Sequence, residues 1–173
     1  MQAATELLER RQYERIQIRD VAEAAPVALG TLYRYFPSKE VLYAEVLRAW
    51  GESFDVRVQA RSRQAATDAD RLRSALRQTV RAYERHPNFS RLLFALEVVT
   101  EPAVSDRFMQ FAGRFTDALE RTLVDTPEEQ RASIAFVTST VLGGVLRGWA
   151  MRGVPISRVY ERVDEMVDLI FPR

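Results

Sequence analysis

The sequence predicts an all-α protein of about nine helices. Apolar residues recur at spacings of three and four along the whole 173-residue chain, which places them on one face of successive helices. No segment shows the strict alternation of apolar and polar residues that is expected of a strand. Apolar residues make up 47% of the chain and charged residues 28%, so the helices can bury a core and still present a polar surface.

Three short helices are predicted in the first 36 residues. Their apolar positions are Ala4, Leu7 and Leu8 in the first, Ile18, Val21, Ala22 and Ala25 in the second, and Leu32 and Phe36 in the third. Only Pro26, Val27 and Ala28 separate the second helix from the third. This is the spacing of a helix-turn-helix, whose second helix enters the major groove of DNA.

A fourth helix is predicted to begin near Ser38, which follows a proline and can act as its N-cap. Its apolar positions continue to Trp50. Residues 59–70 are polar and rich in alanine, which predicts a loop, and the next helix is expected from Leu72 to Arg85.

The second half of the chain contains the clearest start and stop signals. Asn88 is expected to cap one helix. Thr126, Pro127 and Glu129 have the spacing of a capping box with proline at the first helical position. The helix that they open should end at Gly153.

Composition argues against several classes of protein. Cysteine is absent and His86 is the single histidine, so no metal site or histidine-based catalytic site is expected. No nucleophile–base pair stands out either, and we expect no enzyme activity and no cofactor. The uninterrupted apolar stretches are short and no signal peptide is recognisable, which predicts a cytoplasmic protein without a membrane span. His86 is interpreted as the last residue of a helix, near its negative end.

Charge alone does not indicate nucleic-acid binding. The net charge is +1 at pH 7, and the first 60 residues carry slightly more acidic than basic side chains. Contacts with DNA would therefore depend on the arrangement of particular side chains rather than on a basic domain.

The third predicted helix carries the candidate base-reading residues. Gly30 and Thr31 are small enough to approach base edges, and the hydroxyl groups of Tyr33 and Tyr35 suit phosphate oxygens. The alternative is that the aromatic residues of this helix belong to the core. We accept it for Phe36, which has no polar group, but it would bury both tyrosine hydroxyls.

This region resembles the DNA-binding head of the TetR family. The similarity covers residues 4 to about 50 and is carried by the stretch from Ile18 to Glu40, which includes the sequence Thr-Leu-Tyr-Arg-Tyr-Phe-Pro-Ser-Lys-Glu. The resemblance implies that Gln17, Arg19 and Lys39 contact the DNA backbone and that Thr31 and Tyr33 make recognition-helix contacts. We add the neighbouring residues Leu29, Gly30 and Tyr35 to the predicted DNA-binding surface. Pro26 departs from the family, which usually has glycine in this turn, and the fixed φ of proline could alter the turn.

The rest of the chain resembles regulators of the KstR type, which control sterol and lipid catabolism. The similar segments are Arg85-His86-Pro87, Leu146 to Trp149, and Arg162 to Ile170. The resemblance implies a body that binds a hydrophobic effector, such as a sterol- or lipid-derived acyl-CoA.

Bulky apolar side chains on the predicted helices of this body could line a pocket for an apolar ligand. They are Phe89, Leu92, Leu93, Leu96, Phe108, Phe111, Phe115 and Trp149. Each could instead be ordinary core, and that alternative stays open. Arg91, Arg107, Arg114 and Arg147 could receive a carboxylate or the phosphates of CoA, or could be solvated surface residues.

The segment Thr138–Val145 is rich in small residues, which allow two helix backbones to approach closely. With the last helix it resembles the two-helix face through which the family forms dimers across a two-fold axis. An internal packing seam is the alternative. The predicted domains are a helix-turn-helix DNA-binding domain at 1–45 and a C-terminal antiparallel bundle for ligand binding and dimerisation at 46–173.

Together these features predict a repressor that binds a palindromic operator as a homodimer and is released by a small hydrophobic effector, with no membrane partner. Two other functions stay open. One is a helical lipid or acyl-CoA binding protein, or an enzyme, without specific DNA binding. The other is a protein-interaction adaptor that uses the helix-turn-helix only as a scaffold.

Overall fold

The structure is a computed structural model that describes the backbone of residues 1–62 and 65–172, and the side chains of residues 1–52 and 65–172. Within these ranges the chain forms nine α-helices and one turn of 3-10 helix at Tyr13–Arg15, without a strand. The α-helices are α1 (Gln2–Arg10), α2 (Ile18–Ala24), α3 (Leu29–Tyr35), α4 (Lys39–Ser62), α5 (Asp68–Arg85), α6 (Pro87–Glu97), α7 (Pro102–Glu120), α8 (Glu128–Arg152) and α9 (Ile156–Ile170). The predicted all-α fold class is confirmed.

The helices pack as two compact units. The first contains Met1–Gly51 and His86–Phe111, and the second contains Glu52–Arg85 and Ala112–Arg173. The first unit therefore joins the three N-terminal helices to α6 and to the first half of α7, whereas α4 and α7 each contribute residues to both units. The functional division between residues 45 and 46 concerns roles rather than packing, and it stays a prediction.

The core of the first unit is formed by the apolar faces of its helices. Its most deeply buried side chains include Leu8, Ile16, Val21, Leu42, Tyr43, Leu47, Phe89, Leu92 and Leu96. Helix α1 packs against α2 and α6, and α2 packs against α3. The Tyr43 hydroxyl donates a hydrogen bond to the carbonyl of Ala4 (3.3 Å) and so ties α4 to α1.

In the second unit α5 and α8 pack against α9. Val159, Val163 and Val167 form the buried face of α9. At the edge of this contact the Arg77 guanidinium lies 2.5 Å from Asp164, and Arg73 lies 3.2 Å from the same carboxylate. Apolar burial therefore holds α9 against α5, and ion pairs border the contact.

Two predicted helix boundaries are confirmed. The Ser38 hydroxyl accepts a hydrogen bond from the backbone N–H of Val41 (3.1 Å) at the start of α4. Helix α8 ends at Gly153, whose φ of 70° lies in the left-handed region that glycine adopts without a side-chain clash.

The predicted capping box at the start of α8 is wrong. Pro127 occupies the N-cap position and makes no side-chain cap. The Thr126 hydroxyl donates instead to the carboxylate of Asp68 (2.6 Å), on α5. A buried acceptor that is distant in sequence thus competes successfully with the local pattern.

The junction between α5 and α6 also differs from the prediction. His86 is the N-cap residue of α6 rather than the end of α5, and its ring lies 6.2 Å from that of Trp50. Asn88 does not cap α6; its side-chain amide donates to the carbonyl of Leu8 (2.9 Å). The proline at the first helical position starts the helix two residues before Phe89.

The loop predicted at 59–70 is shorter in the structure. Helix α4 continues to Ser62 and α5 begins at Asp68, while residues 63 and 64 lie outside the described residues. The Thr67 hydroxyl accepts from the N–H of Asp70 (3.1 Å) and donates to its carboxylate (2.8 Å). This local capping pair explains why α5 begins before Leu72.

One helix of the described chain, α8, is long and apolar enough to cross a membrane by length and composition. The expectation that no segment meets these criteria is therefore wrong. Helices of soluble proteins also meet them, so this is weak evidence for a membrane span. Only 28% of its most apolar window is buried, which shows that much of α8 is left uncovered by the described residues.

Candidate nucleic-acid interface

Helices α2 and α3 have the local geometry of a helix-turn-helix. The Asp20 carboxylate accepts a hydrogen bond from the N–H of Gln17 (2.8 Å) and fixes the start of α2. The N–H of Val27 donates to the carbonyl of Ala22 (3.0 Å), which turns the chain back across the end of α2. Helix α3 then begins with hydrogen bonds from the backbone N–H groups of Thr31 and Leu32 to the carbonyl of Ala28.

Helix α3 presents nearly all of its surface to solvent. Leu32 is its one buried residue, with 8% of its surface exposed. The predicted recognition residues Leu29, Gly30, Thr31, Tyr33 and Tyr35 are all exposed. Tyr33 and Tyr35 are 44% and 67% exposed, so neither belongs to the core.

The predicted DNA-backbone contacts fall into two groups. Gln17 and Arg19 are exposed at the start of α2, where a helix N-terminus favours an anion. Lys39 is only partly exposed. Its ammonium donates to the carbonyl of Tyr13 (2.7 Å) and lies 3.9 Å from the centre of the Tyr13 ring. Burial lowers the pKa of Lys39, although the nearby carboxylate of Glu40 acts in the opposite direction.

The turn between α2 and α3 requires a backbone conformation that proline disfavours. Pro26 has a φ of 21°, whereas the pyrrolidine ring holds φ near −65°. Glycine adopts positive φ without this penalty. The turn is therefore strained at the position where the resemblance leads one to expect glycine.

We expect Pro26→Gly to stabilise the protein by about 1 kcal/mol, because relief of the strain exceeds the entropy that glycine adds to the unfolded chain. Urea unfolding at fixed protein concentration measures the change. Pro155→Gly is the matched control: Pro155 has an ordinary φ of −58°, and its replacement should lower stability. A loss of stability of the same size in both variants would contradict strain at Pro26.

The predicted effector residues divide between the two units. Phe89, Leu92, Leu93 and Leu96 are buried in the first unit, where Phe108 and Phe111 are half-buried. Phe115 and Trp149 are half-buried in the second unit. The assignment of all eight residues to one ligand pocket stays a prediction.

Aromatic side chains of α6 and α7 contact the middle of α4 within the first unit. The rings of Trp50 and Phe89 stack with their centres 4.9 Å apart. Gly51 faces the ring of Phe111 so closely that a Cβ atom at position 51 would lie 2.6 Å from it. The α4 backbone can make this contact only because residue 51 has no side chain.

Of the four arginines proposed to receive an anionic effector, two lie against glutamate side chains and a third is exposed to solvent. Arg114 pairs with Glu52, and Arg107 lies 3.5 Å from Glu45. Arg91 is exposed. An anionic effector would have to displace the glutamate carboxylates that lie against Arg114 and Arg107.

Family models match almost the whole described chain. Residues 1–46 match the model described as bacterial regulatory proteins of the tetR family. Residues 68–171 match that of the tetracyclin repressor-like C-terminal domain. The chain belongs to the TetR family. Its α2 and α3 are accordingly the helix-turn-helix of a DNA-binding head.

Relatives within the TetR family agree with this assignment. The chain is 32% identical over 160 residues to the HTH-type transcriptional repressor KstR of Rhodococcus jostii, covering 91% of this chain and 74% of that protein. Its fold is similar to that of a TetR transcriptional regulator from Rhodococcus sp. RHA1, with a TM-score of 0.80 and 23% identity. The match covers 98% of this chain and 90% of that chain. The fold is also similar to that of Thermus thermophilus FadR, solved in complex with lauroyl-CoA, with a TM-score of 0.77 and 18% identity. This match covers 96% of this chain and 90% of that chain.

Two hydrogen bonds tie the TetR-type head of this chain to α6 and to the start of α7. Asn88 of α6 donates to the carbonyl of Leu8 in α1. The Ser38 hydroxyl donates to the carboxylate of Glu101, one residue before α7 (3.0 Å). The sequence did not predict either contact, because these partners are about 60 to 80 residues apart and carry no local signal.

Proposed function

We propose that the protein is a cytoplasmic, homodimeric transcriptional repressor that binds a palindromic operator and is released by a hydrophobic effector. The exposure of α3 carries this proposal. A helix held by Leu32 alone leaves Thr31 and Tyr33 free to enter the major groove. Similarity to KstR, which is described as a repressor, supports repression rather than activation.

We infer that the effector is a sterol- or lipid-derived acyl-CoA. The acyl chain would be taken up by the apolar side chains of α6 and α7, including Phe89, Phe108 and Phe111. The similar fold of Thermus thermophilus FadR was solved with lauroyl-CoA, which supports this class of ligand. In this proposal residues 1–45 bind DNA, and residues 46–173 bind the effector and dimerise.

A homodimer would present two copies of α3 to two half-sites. Successive major grooves on one side of DNA are about 34 Å apart, so a modest change in the spacing of the heads weakens binding. The exposed face of α8 and the neighbouring α9 form the proposed dimer surface. A Cβ atom added to Gly144 of this face would have no other atom within 4 Å, which leaves room for a second chain.

The contacts in the middle of α4 offer a route from effector to head. The helix begins within the head, at Lys39, and reaches Trp50 and Gly51, which contact Phe89 and Phe111 respectively. A ligand changes operator affinity only if it binds with different affinity to the two states of the dimer, which differ in the spacing of the heads. We propose that it does so by displacing these two phenylalanine rings; the side chain of Phe54, further along α4, lies outside the described residues.

Variants of α3 test specific DNA binding. Tyr33→Phe should weaken binding to operator and random DNA alike, by about tenfold, through loss of a phosphate contact. Thr31→Ala should instead weaken operator binding by about tenfold and leave binding to random DNA unchanged, because it removes a base contact. Fluorescence anisotropy with the DNA upstream of its own gene and with shuffled DNA measures both.

The same assay separates the proposed repressor from the other functions. A lipid-binding protein, an enzyme or an adaptor would bind the upstream and shuffled DNA equally.

Lys39→Ala should reduce the dependence of log affinity on log salt by about one unit if Lys39 leaves Tyr13 to contact a phosphate. An unchanged slope would exclude that role for Lys39.

Phe111→Ala tests the effector route. We expect operator affinity within about twofold of wild type, because Phe111 makes no DNA contact, and a tenfold or greater loss of response to an acyl-CoA, since the ring can no longer be displaced against α4. A titration of the DNA complex with lauroyl-CoA measures the response. Loss of folding and DNA binding together would identify Phe111 as ordinary core.

Gly51→Ala provides the complementary variant. Its Cβ would meet the Phe111 ring and should change operator affinity without effector. Gly113→Ala is the matched control on α7, because a Cβ there meets no atom within 4 Å. Equal behaviour of the two alanine variants would contradict the proposed route.

A further inference from the structure

Helix α8 carries a continuous exposed face along its whole length. Residues spaced by three or four along this face are all exposed: Glu129, Ser133, Phe136, Thr140, Gly144, Arg147 and Met151. Residues at these spacings lie in line on one side of a helix. The described residues of the chain therefore leave one full side of a largely apolar helix uncovered.

The two halves of this face have opposite shapes. Phe136, in the first half, is 64% exposed and projects a phenyl ring from the helix. Gly144, in the second half, has no side chain and no atom within 4 Å of a Cβ placed there. A groove of about 300 Å³ lies over Gly144 and Gly148 and has Val154 and Val159 in its lining. The groove is large enough for a phenyl ring.

The two halves also differ in charge. Glu128 and Glu129 begin the helix, whereas Arg147 and Arg152 lie in its last two turns. Arg131 is the exception in the first half, but its guanidinium donates to the carbonyls of Thr126 and Val124 at the helix start. The acidic end thus carries the protruding ring, and the basic end carries the groove.

We propose that α8 pairs antiparallel with α8 of a second copy of this chain, with Phe136 of each copy in the groove over Gly144 of the other. The two contacts are equivalent by two-fold symmetry, as an isologous interface requires. The pairing is centred on Thr140 and brings Glu128 of one copy toward Arg152 of the other. It rests on the proposed homodimer and adds the alignment of its central helices.

The burial of Gly148 argues against an alignment shifted by one turn toward the end of α8. Moving the phenyl ring by one turn would place it over Gly148, which is buried and has Val154 within 3.3 Å of a Cβ position. Gly144 is the exposed glycine of the groove. The ring of the second copy can therefore reach the groove at Gly144 without displacing a side chain of the chain itself.

The absence of native cysteine allows a direct test of the alignment. Thr140→Cys should form a disulfide between two copies under mild oxidation, because the same residue faces itself at the two-fold axis within disulfide range. Met151→Cys, on the same face but 11 residues away, should not, since that position would be about 30 Å from its copy. Cross-linking of Met151→Cys without Thr140→Cys would overturn the alignment.

Exchange of the ring and the glycine provides a second test, read by sedimentation. Phe136→Gly should weaken dimerisation on the order of 30-fold, as expected for loss of a central aromatic contact. Gly144→Phe should do the same by opposing two rings, and the double variant should dimerise better than Gly144→Phe alone because it removes the Phe136 ring that the new side chain would meet. A double variant weaker than both single variants would overturn the alignment. A wild-type chain that stays monomeric would instead overturn the proposed homodimer itself.

Discussion

Gly144→Arg should convert the homodimer to a monomer, with dimerisation weakened on the order of 100-fold or more. The substitution places a charged side chain in an interface on both sides of the two-fold axis, where neither charge has an acidic partner within the proposed alignment. The chain itself can accommodate the change, because Gly144 is exposed and no atom lies within 4 Å of its Cβ position. Sedimentation velocity over a range of protein concentrations measures the effect.

Gly113→Arg is the control for this experiment. Gly113 is an exposed helical glycine on α7 that likewise has no neighbour within 4 Å of a Cβ. The Gly113→Arg variant should carry the same added charge and the same loss of glycine flexibility, and it should leave the dimer intact. A Gly144→Arg protein that remains a dimer would show that α8 does not form the interface.

Loss of the dimer should also reduce operator affinity by two to four orders of magnitude. Two linked heads bind two half-sites with an effective concentration advantage of about 10²–10⁴-fold, and a monomer loses that advantage. Binding of the variant to a single half-site should match wild type on the same DNA. This comparison separates loss of dimerisation from damage to the head.

The DNA-binding head was predictable because its signals are local. A three-residue turn, the anchor Leu32 and the cap Ser38 all act within a few residues of the element that they define. The exposure of Tyr33 and Tyr35 followed from the cost of burying two hydroxyl groups without partners. Short-range physical requirements of this kind are recorded directly in the order of residues.

The first unit and the start of α8 were not predictable because their contacts are distant in sequence. Asn88 bonds to Leu8 in α1, and Thr126 bonds to Asp68 in α5. In each case a residue with a good local role, as a helix cap, has a different partner in the folded chain. Periodicity identifies which face of a helix is apolar, but it does not identify the helix that covers that face.

The candidate effector residues show the same limit. Phe89 and Leu92 are fully buried, as either a pocket wall or a core residue would be. The close contact of Phe111 with Gly51 depends on the path of two helices and has no sequence pattern. Identification of the effector site therefore requires titration with a ligand.

Asp68 joins the start of α5 to the segment between α7 and α8. Its carboxylate accepts hydrogen bonds from the backbone N–H groups of Val124 (2.9 Å), Asp125 (3.0 Å) and Thr126 (2.7 Å) and from the Thr126 hydroxyl. It also pairs with Arg71, which donates to the carbonyl of Thr122 (3.0 Å). Both Asp68 and Arg71 are buried.

Burial by itself raises the pKa of Asp68, but the hydrogen bonds from Thr126, Arg71 and the backbone outweigh it, so the pKa is lowered. A carboxylate whose pKa is lower in the folded than in the unfolded state stabilises the protein above its unfolded pKa of about 4. This contribution is lost as the pH falls from there through the folded pKa. The wild-type protein should therefore lose stability in acid through this site.

Asp68→Asn should lower the free energy of unfolding at pH 7 by about 3 kcal/mol. The amide has no charge to balance the buried Arg71, and its N–H₂ group faces backbone donors that need an acceptor. Asp125→Asn is the control: Asp125 also pairs with Arg71, but its side chain is 69% exposed, so the change should cost less than about 1 kcal/mol. Urea unfolding at equal protein concentration should show the difference between wild type and Asp68→Asn narrowing below about pH 4, since the wild-type carboxylate then begins to lose its advantage. A difference that stayed constant down to about pH 2 would show that the charge of Asp68 is not what holds the segment before α8.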